Sequence, residues 1–362
     1  MAKYPRSMVS ERPYVDETPL GQELEKLWRS DVPPISTVLH ARWWQLETWL
    51  RSLVYVELRA KYGDAWTDHL PRQAEKYENN DQGLSYMASP DMGLRMAYLD
   101  VGPLLDLVGA EEYRNILEPV TMDHRVWNGR AFELKKIRKH IAHCRRPHED
   151  DLAKVRQVLR DLEHGSFKAL SAYNRQFSPV DLTGDPVVDA WINGNHQGHF
   201  LVDHASRRYK TEIEIKYSAR PWVDSTPSTP EIAGSEGYIW HLIIYAREGG
   251  SFRVEQIWRD WISNNIEIRD LIIFFGCHSA NHLDISISAK SDSTRVVEAF
   301  HFLINAALSC HVAFTRGSSP DSLDLLDERV RRFAKKSDAR VQFESPWTIV
   351  DDSTQPITIF SA

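Results

Sequence analysis

The sequence predicts an all-helical bundle followed by a mixed α/β domain, the class α plus α+β. Three observations predict it. The chain has 362 residues, enough for more than one core. Up to about residue 165 the apolar residues recur every three to four positions, and from about residue 210 every second position. Between these stretches, Ser178-Pro179, Gly184 and Asp185-Pro186 punctuate the chain as a linker does. The expected organisation is an irregular arm over residues 1–35, a helical domain over 36–178 and an α+β domain over 179–362.

The arm holds Pro5, Pro13, Pro19, Pro33 and Pro34, with room for one short helix near residues 20–28. A long helix is expected over 36–62, because Leu39, Trp43, Leu46, Leu50 and Leu53 share one face. Glu47 and Arg51 make an i,i+4 pair on it, and Gly63 stands where a C-terminal cap belongs. Residues 64–88 read as a polar loop. Ser89-Pro90-Asp91 signals a helix start, with the helix running to about residue 100. Shorter helices are expected after Pro103 and over 111–118. Leu134, Ile137, Ile141 and Cys144 form the stripe of a helix over 130–146, stopped by Pro147. Leu152, Val155, Leu159 and Leu162 mark another over 149–164, stopped by Gly165.

In the second half, Thr211, Ile213, Ile215 and Tyr217 alternate with Glu212, Glu214 and Lys216, the pattern of a half-buried strand. Residues 238–246, 271–275, 283–288 and 311–315 also read as strands, with Gly249-Gly250 as a hairpin turn. Helices are expected over 294–308 and 323–335, the latter bearing Arg329, Arg331, Arg332 and Lys335, with Lys336 directly after it, as a second basic cluster.

Composition narrows the function classes. The chain is 42% hydrophobic and 26% charged, ordinary for a folded protein, and no run approaches the length of a membrane span. The first residues lack the apolar core of a signal peptide. Three separated cysteines (Cys144, Cys277 and Cys310) suggest neither a disulfide framework nor a zinc motif, so a cytoplasmic protein is expected. The formal net charge of -7 argues against an indiscriminate coat for nucleic acid.

Against that acidic background one run stands out. Residues 135–146, KKIRKHIAHCRR, carry six Lys or Arg, two His and no acid. Arg138 precedes His143 with four residues between them. A guanidinium grips phosphate with a forked pair of donors, and an imidazole moves protons near neutral pH. Lys135, Lys139, His140, Arg145 and Arg146 are the surrounding candidates for RNA contact. By spacing alone the same run reads first as a solvated basic face that suits the negative end of a helix.

The spacing Arg138-x4-His143 resembles the R-x4-6-H signature of HEPN domains. Residues 46–51 (LETWLR), 61–66 (KYGDAW) and 96–105 (MAYLDVGPLL) are similar to the Swt-type branch of that family. The resemblance covers about residues 36–165. It departs from the family pattern at Lys139, where a polar residue, most often Asn, is usual. It implies a metal-independent endoribonuclease without cofactors, with RNA as substrate and a homodimer whose two motifs face one groove. His143 would act as the acid or base at the ribose 2′-OH or the leaving oxygen, and Arg138 would stabilise the phosphate. It further implies a toxin or antiviral effector, with the α+β domain sensing a trigger or holding a partner or inhibitor. Some family members only bind RNA or act as scaffolds.

A second candidate lies on the first strand. Glu214-Ile215-Lys216 with Asp203 upstream resembles the PD-(D/E)xK nucleases, which use Mg²⁺. An exposed strand face alternates Glu and Lys in the same way. No metal site is expected in the basic run, because His140, His143 and His148 lack a completing thiolate or carboxylate. Trp43, Trp44 and Trp49 on one helix suit core and dimer contacts better than base stacking.

Overall fold

The computed structural model describes residues 22–23, 26–27, 32–84, 95–179, 184–223, 231–279, 281–313, 340–342 and 348–350. These divide between two compact units. One contains the described residues up to Thr37 and the antiparallel pair Arg340–Gln342 and Thr348–Val350. The other lies within Val38–Phe314 and carries both the helices and the main sheet. The boundary expected at residue 178 therefore falls inside one compact unit. The helices expected near residues 20–28, at Ser89-Pro90-Asp91 and over 323–335 lie wholly or mostly outside the described residues.

Helix α1 (Pro34–Tyr62) forms as its periodicity requires, and Leu39, Leu46, Leu50 and Leu53 are fully buried along it. Gly63 ends it at φ +58, where an added Cβ would come within 2.7 Å of the Lys290 carbonyl oxygen. The stretch read as a polar loop instead holds a 3-10 turn (Gly63–His69) and α2 (Arg72–Gln82). Only Ala74 and Glu78 of α2 are buried, so it has no apolar stripe to reveal it. It is tied down by polar contacts, Glu78 with Arg95 at 3.0 Å and Asp81 with the Tyr98 hydroxyl at 2.6 Å. Next come α3 (Val101–Val108), helical turns from Glu111 to Val120, α4 (His124–Ala142) and α5 (Asp151–Asn174).

Two expected stops are corrected. Helix α4 ends at Ala142, well before Pro147. Helix α5 runs straight through Gly165, which is buried. A Cβ at residue 165 would meet the Val120 carbonyl oxygen at 2.3 Å, so the glycine allows the helix to pass close to the Val120–Thr121 backbone. Replacement of Gly165 by alanine is thus expected to destabilise the protein by about 1–3 kcal/mol through overpacking. That outcome runs against the ~1 kcal/mol that alanine gains over glycine in a free helix. Urea denaturation of G165A distinguishes the two, since a stabilised variant would show that this approach is not tight.

The linker expected near residues 165–190 is instead the end of α5 followed by α6 (Pro186–Trp191) and α7 (Phe200–His204). The main sheet is antiparallel, in the order β1 (Thr211–Ala219), β2 (Tyr238–Ala246), β5 (His282–Ser288), β4 (Ile272–Ser279). Gly249-Gly250 does not make a hairpin. It turns the chain into β3 (Ser251–Phe252), which pairs with β6 (His311–Val312) rather than with β2. Helix α8 (Ile266–Leu271) leads into β4, and α9 (Ser293–Ser309) follows β5.

The helices and the sheet each bury a core of their own. Trp240, Leu242, Ile244, Leu283, Ile285 and Ile287 on one sheet face belong to a cluster with Phe300, Leu303 and Ile304 of α9. A smaller cluster joins the halves, with Leu53, Val56 and Ala60 of α1 and Tyr173 of α5 against Ile239, Ile273 and Phe274. Long-range polar bonds reinforce that junction. The Arg59 guanidinium donates to the Asp270 and Leu271 carbonyls at 2.7 and 2.8 Å, and the Tyr55 hydroxyl donates to the Ile272 carbonyl at 3.0 Å.

Candidate functional site

The basic run occupies the C-terminal half of α4 and the turn after it. Asp123 starts the helix, its carboxylate accepting the N–H groups of Arg125 at 2.9 Å and Val126 at 3.3 Å. Those two bonds hold its carboxyl below the usual carboxylate range. Trp127, Leu134 and Ile137 are almost completely buried, and the indole N–H of Trp127 donates to the Leu105 carbonyl at 3.0 Å. Ion pairs clamp the helix to α5, Arg130 with Asp161 at 3.1 Å and Lys154 with Glu133 at 3.1 Å. Lys135 pairs with Asp106 of α3, so this candidate for RNA contact is engaged within the bundle.

Arg138, Lys139, His143, Arg145 and Arg146 are exposed. Among the described residues, their side chains form no hydrogen bond and no ion pair. Arg138 and His143 stand about 140° apart around the helix at ~100° per residue. Lys136 lies over the ring of Phe132, its ammonium 4.2 Å from the ring centroid, and that ring is 63% exposed.

His140 behaves differently from His143. Its Nδ1 lies 2.7 Å from Oδ2 of Asp151, whose residue is only 5% exposed. The same carboxylate oxygen accepts the His148 N–H at 2.9 Å, which draws the loop after α4 back against the start of α5. A carboxylate behind one ring nitrogen fixes the ring and leaves the other nitrogen to act. Asp151 is a residue the sequence reading did not single out. Its only sequence signal was its place in the first turn of the following helix.

The turn at the end of α4 also has a definite geometry. The Cys144 N–H donates to the Ile141 carbonyl at 3.2 Å and the Arg145 N–H to the His140 carbonyl at 2.9 Å, the two bonds of a Schellman motif. Cys144 occupies its left-handed position at φ +51. This is why the apolar stripe fails at its last member: Cys144 is exposed while Leu134 and Ile137 are buried. Glycine takes that conformation without a Cβ penalty. C144G is therefore expected to gain about 1 kcal/mol of unfolding free energy, read from thermal or urea unfolding. A loss of stability would contradict the left-handed assignment.

The alternative residues are only partly brought together. Glu214 and Lys216 pair with one another at 2.6 Å on the edge strand β1. Asp203 is in α7, exposed and 3.7 Å from Arg207. No group of three metal-capable side chains that includes Asp203 or Glu214 occurs among the described residues. The second basic cluster, Arg329, Arg331, Arg332, Lys335 and Lys336, lies outside them. Of the tryptophans on α1, Trp43 is buried and Trp44 is 67% exposed.

Two polar clusters in the second half escaped the sequence reading. Ser218 Oγ lies 2.7 Å from His241 Nε2, and Asp284 Oδ1 lies 3.6 Å from His241 Nδ1, the order of a Ser-His-Asp triad. Every member is at most 2% exposed, so a substrate has no path to the serine. Ser286 bridges His241 to the Tyr173 hydroxyl of α5, and the cluster thereby joins that helix to the sheet. The other cluster is His196, Glu298 and His301.

No helix among the described residues is long and apolar enough to cross a membrane. Comparison with protein-family models, with curated proteins and with solved structures found no match for this chain.

Proposed function

We propose that this protein is a HEPN-type, metal-independent endoribonuclease whose reaction centre is the end of α4. The observation that carries the reading is an exposed Arg138 and an exposed His143, both free of side-chain partners among the described residues. They stand on a helix otherwise clamped on both flanks. A clamped helix fixes the backbone that carries these groups, so that binding has only their side chains left to order.

The chemistry follows from the groups. His143 exchanges a proton with the ribose 2′-OH or with the leaving 5′ oxygen. Attack by the 2′ oxygen on the adjacent phosphorus breaks the P–O5′ bond and leaves a 2′,3′-cyclic phosphate and a 5′-OH. Arg138 meets the negative charge that builds on the phosphate. His140, held through Nδ1 by Asp151, offers its other nitrogen as the second proton-transfer group. Lys139, Arg145 and Arg146 add positive charge along the RNA backbone. In keeping with the family resemblance, two copies would share one groove, and the enzyme would serve as a toxin or defence effector governed by its sheet-bearing half.

The test is incubation of the purified chain in EDTA with a labelled single-stranded RNA and the DNA of the same sequence. The expected result is RNA cleavage to cyclic-phosphate ends, with DNA untouched because it lacks the 2′-OH. Intact RNA in EDTA, or cleavage of DNA once Mg²⁺ is supplied, would overturn the proposal.

A further inference from the structure

We infer that His196, Glu298 and His301 form a zinc site, separate from the basic end of α4 and independent of the ribonuclease reading. His196 follows α6 in the chain, while Glu298 and His301 lie one turn apart on α9. Their candidate donor atoms all lie within 4.8 Å of one another. His196 Nε2 is 3.2 Å from Glu298 Oε1, and His301 Nδ1 is 3.9 Å from Glu298 Oε2. Bonds of about 2.0–2.2 Å in a tetrahedron place neighbouring donors roughly 3.4 Å apart, so small side-chain movements close the set.

The surroundings hold the rings in place. Trp191 stacks on His196, with centroids 4.8 Å apart, and its own indole N–H is fixed on the Val297 carbonyl at 3.0 Å. Gly198 makes room for His301: a Cβ there would lie 2.9 Å from the His301 ring. The side chain of His196 is 8% exposed, that of His301 29% and that of Glu298 57%. The imidazoles are therefore on the inner side and the carboxylate is at the solvent edge, which leaves a fourth position open to solvent.

Two imidazole nitrogens and one carboxylate oxygen suit zinc and its late first-row neighbours, not Mg²⁺ or Ca²⁺, which favour all-oxygen sets. The Gly198 N–H donates to His196 Nδ1 at 3.0 Å, which turns Nε2 with the ring proton toward Glu298 at 3.2 Å. Zinc needs that Nε2 lone pair. Zinc held through Nε2 would therefore require the ring proton on Nδ1 and the Gly198 N–H shifted away from it. Metal binding is thus coupled to a local rearrangement between α6 and α7.

The experiment is titration of the full, chelator-treated chain with Co²⁺ and then Zn²⁺, read by cobalt visible absorption and by bound-metal analysis. One equivalent should bind to the parent, with a tetrahedral cobalt spectrum. Glu298→Gln and His301→Ala should each weaken binding about tenfold or more, and H196A/H301A should abolish it. Circular dichroism checks that each variant stays folded, and Glu298→Gln, at an exposed position, keeps the test decisive if a histidine variant does not. A parent that takes up no metal at micromolar concentration would overturn the inference. So would a double variant that binds like the parent, because the metal would then sit elsewhere, for instance at Cys144 with His140 or His143.

Discussion

Alanine at His143 is expected to lower RNA cleavage by about 10²–10⁴-fold, the usual contribution of a positioned acid or base. Arg138→Ala is expected to cost about 10²–10³-fold, the usual effect of losing one donor to a developing oxyanion. Both side chains are exposed and unpaired among the described residues, so neither change should move the unfolding midpoint. Losses of activity at constant stability would therefore report chemistry and not folding. Arg138→Lys keeps the charge but loses the forked donor geometry, and should recover only part of the rate. The double variant should fall less than the product of the two single losses, because groups that act as a unit are not additive. The measurement is the initial rate of cyclic-phosphate formation in EDTA. Parental rates in both single variants would remove the end of α4 from the reaction.

The largest stability effect is expected at a different place. Glu57 of α1 and Arg220, which follows β1, are both fully buried and form a bidentate pair. The guanidinium Nε approaches the two carboxylate oxygens at 3.1 and 3.0 Å, and the Trp222 indole N–H donates to the same carboxylate at 2.7 Å. Removing Glu57 takes away the carboxylate that faces the buried Arg220 guanidinium. Glu57→Ala is expected to cost about 3–5 kcal/mol, a large share of the ~5–15 kcal/mol that holds a typical domain folded. Replacing both partners by apolar groups, as in E57L/R220M, removes the buried guanidinium together with its carboxylate. It should restore most of the loss. Urea unfolding of the three proteins decides it, and an E57A midpoint close to that of the parent would show that water reaches the pair.

The sequence carried the local part of this structure well. Leu39, Leu46, Leu50 and Leu53 specified α1, and the alternation at Thr211–Tyr217 specified β1 with its faces correctly assigned. Both follow from periods of 3.6 and 2, which one chain segment contains in full. Helix α2 was missed because two buried residues make no stripe. Residue type alone makes Gly165 and Pro147 look like stops. The close approach to Val120 and the Schellman turn at Cys144 depend on backbone that the local pattern does not encode.

The candidate sites divide in the same way. Arg138 and His143 are five positions apart, so their charge and their common helix end were readable from the chain. The pairing of Asp151 with His140, the Glu57–Arg220 pair and the His196–Glu298–His301 cluster each join residues from different elements. By itself the sequence determined the helices and strands with strong apolar periodicity, the change from helical to strand character and one basic helix end. Only the tertiary structure decided which polar groups are buried and which face water, because desolvation and pairing depend on neighbours that folding alone supplies.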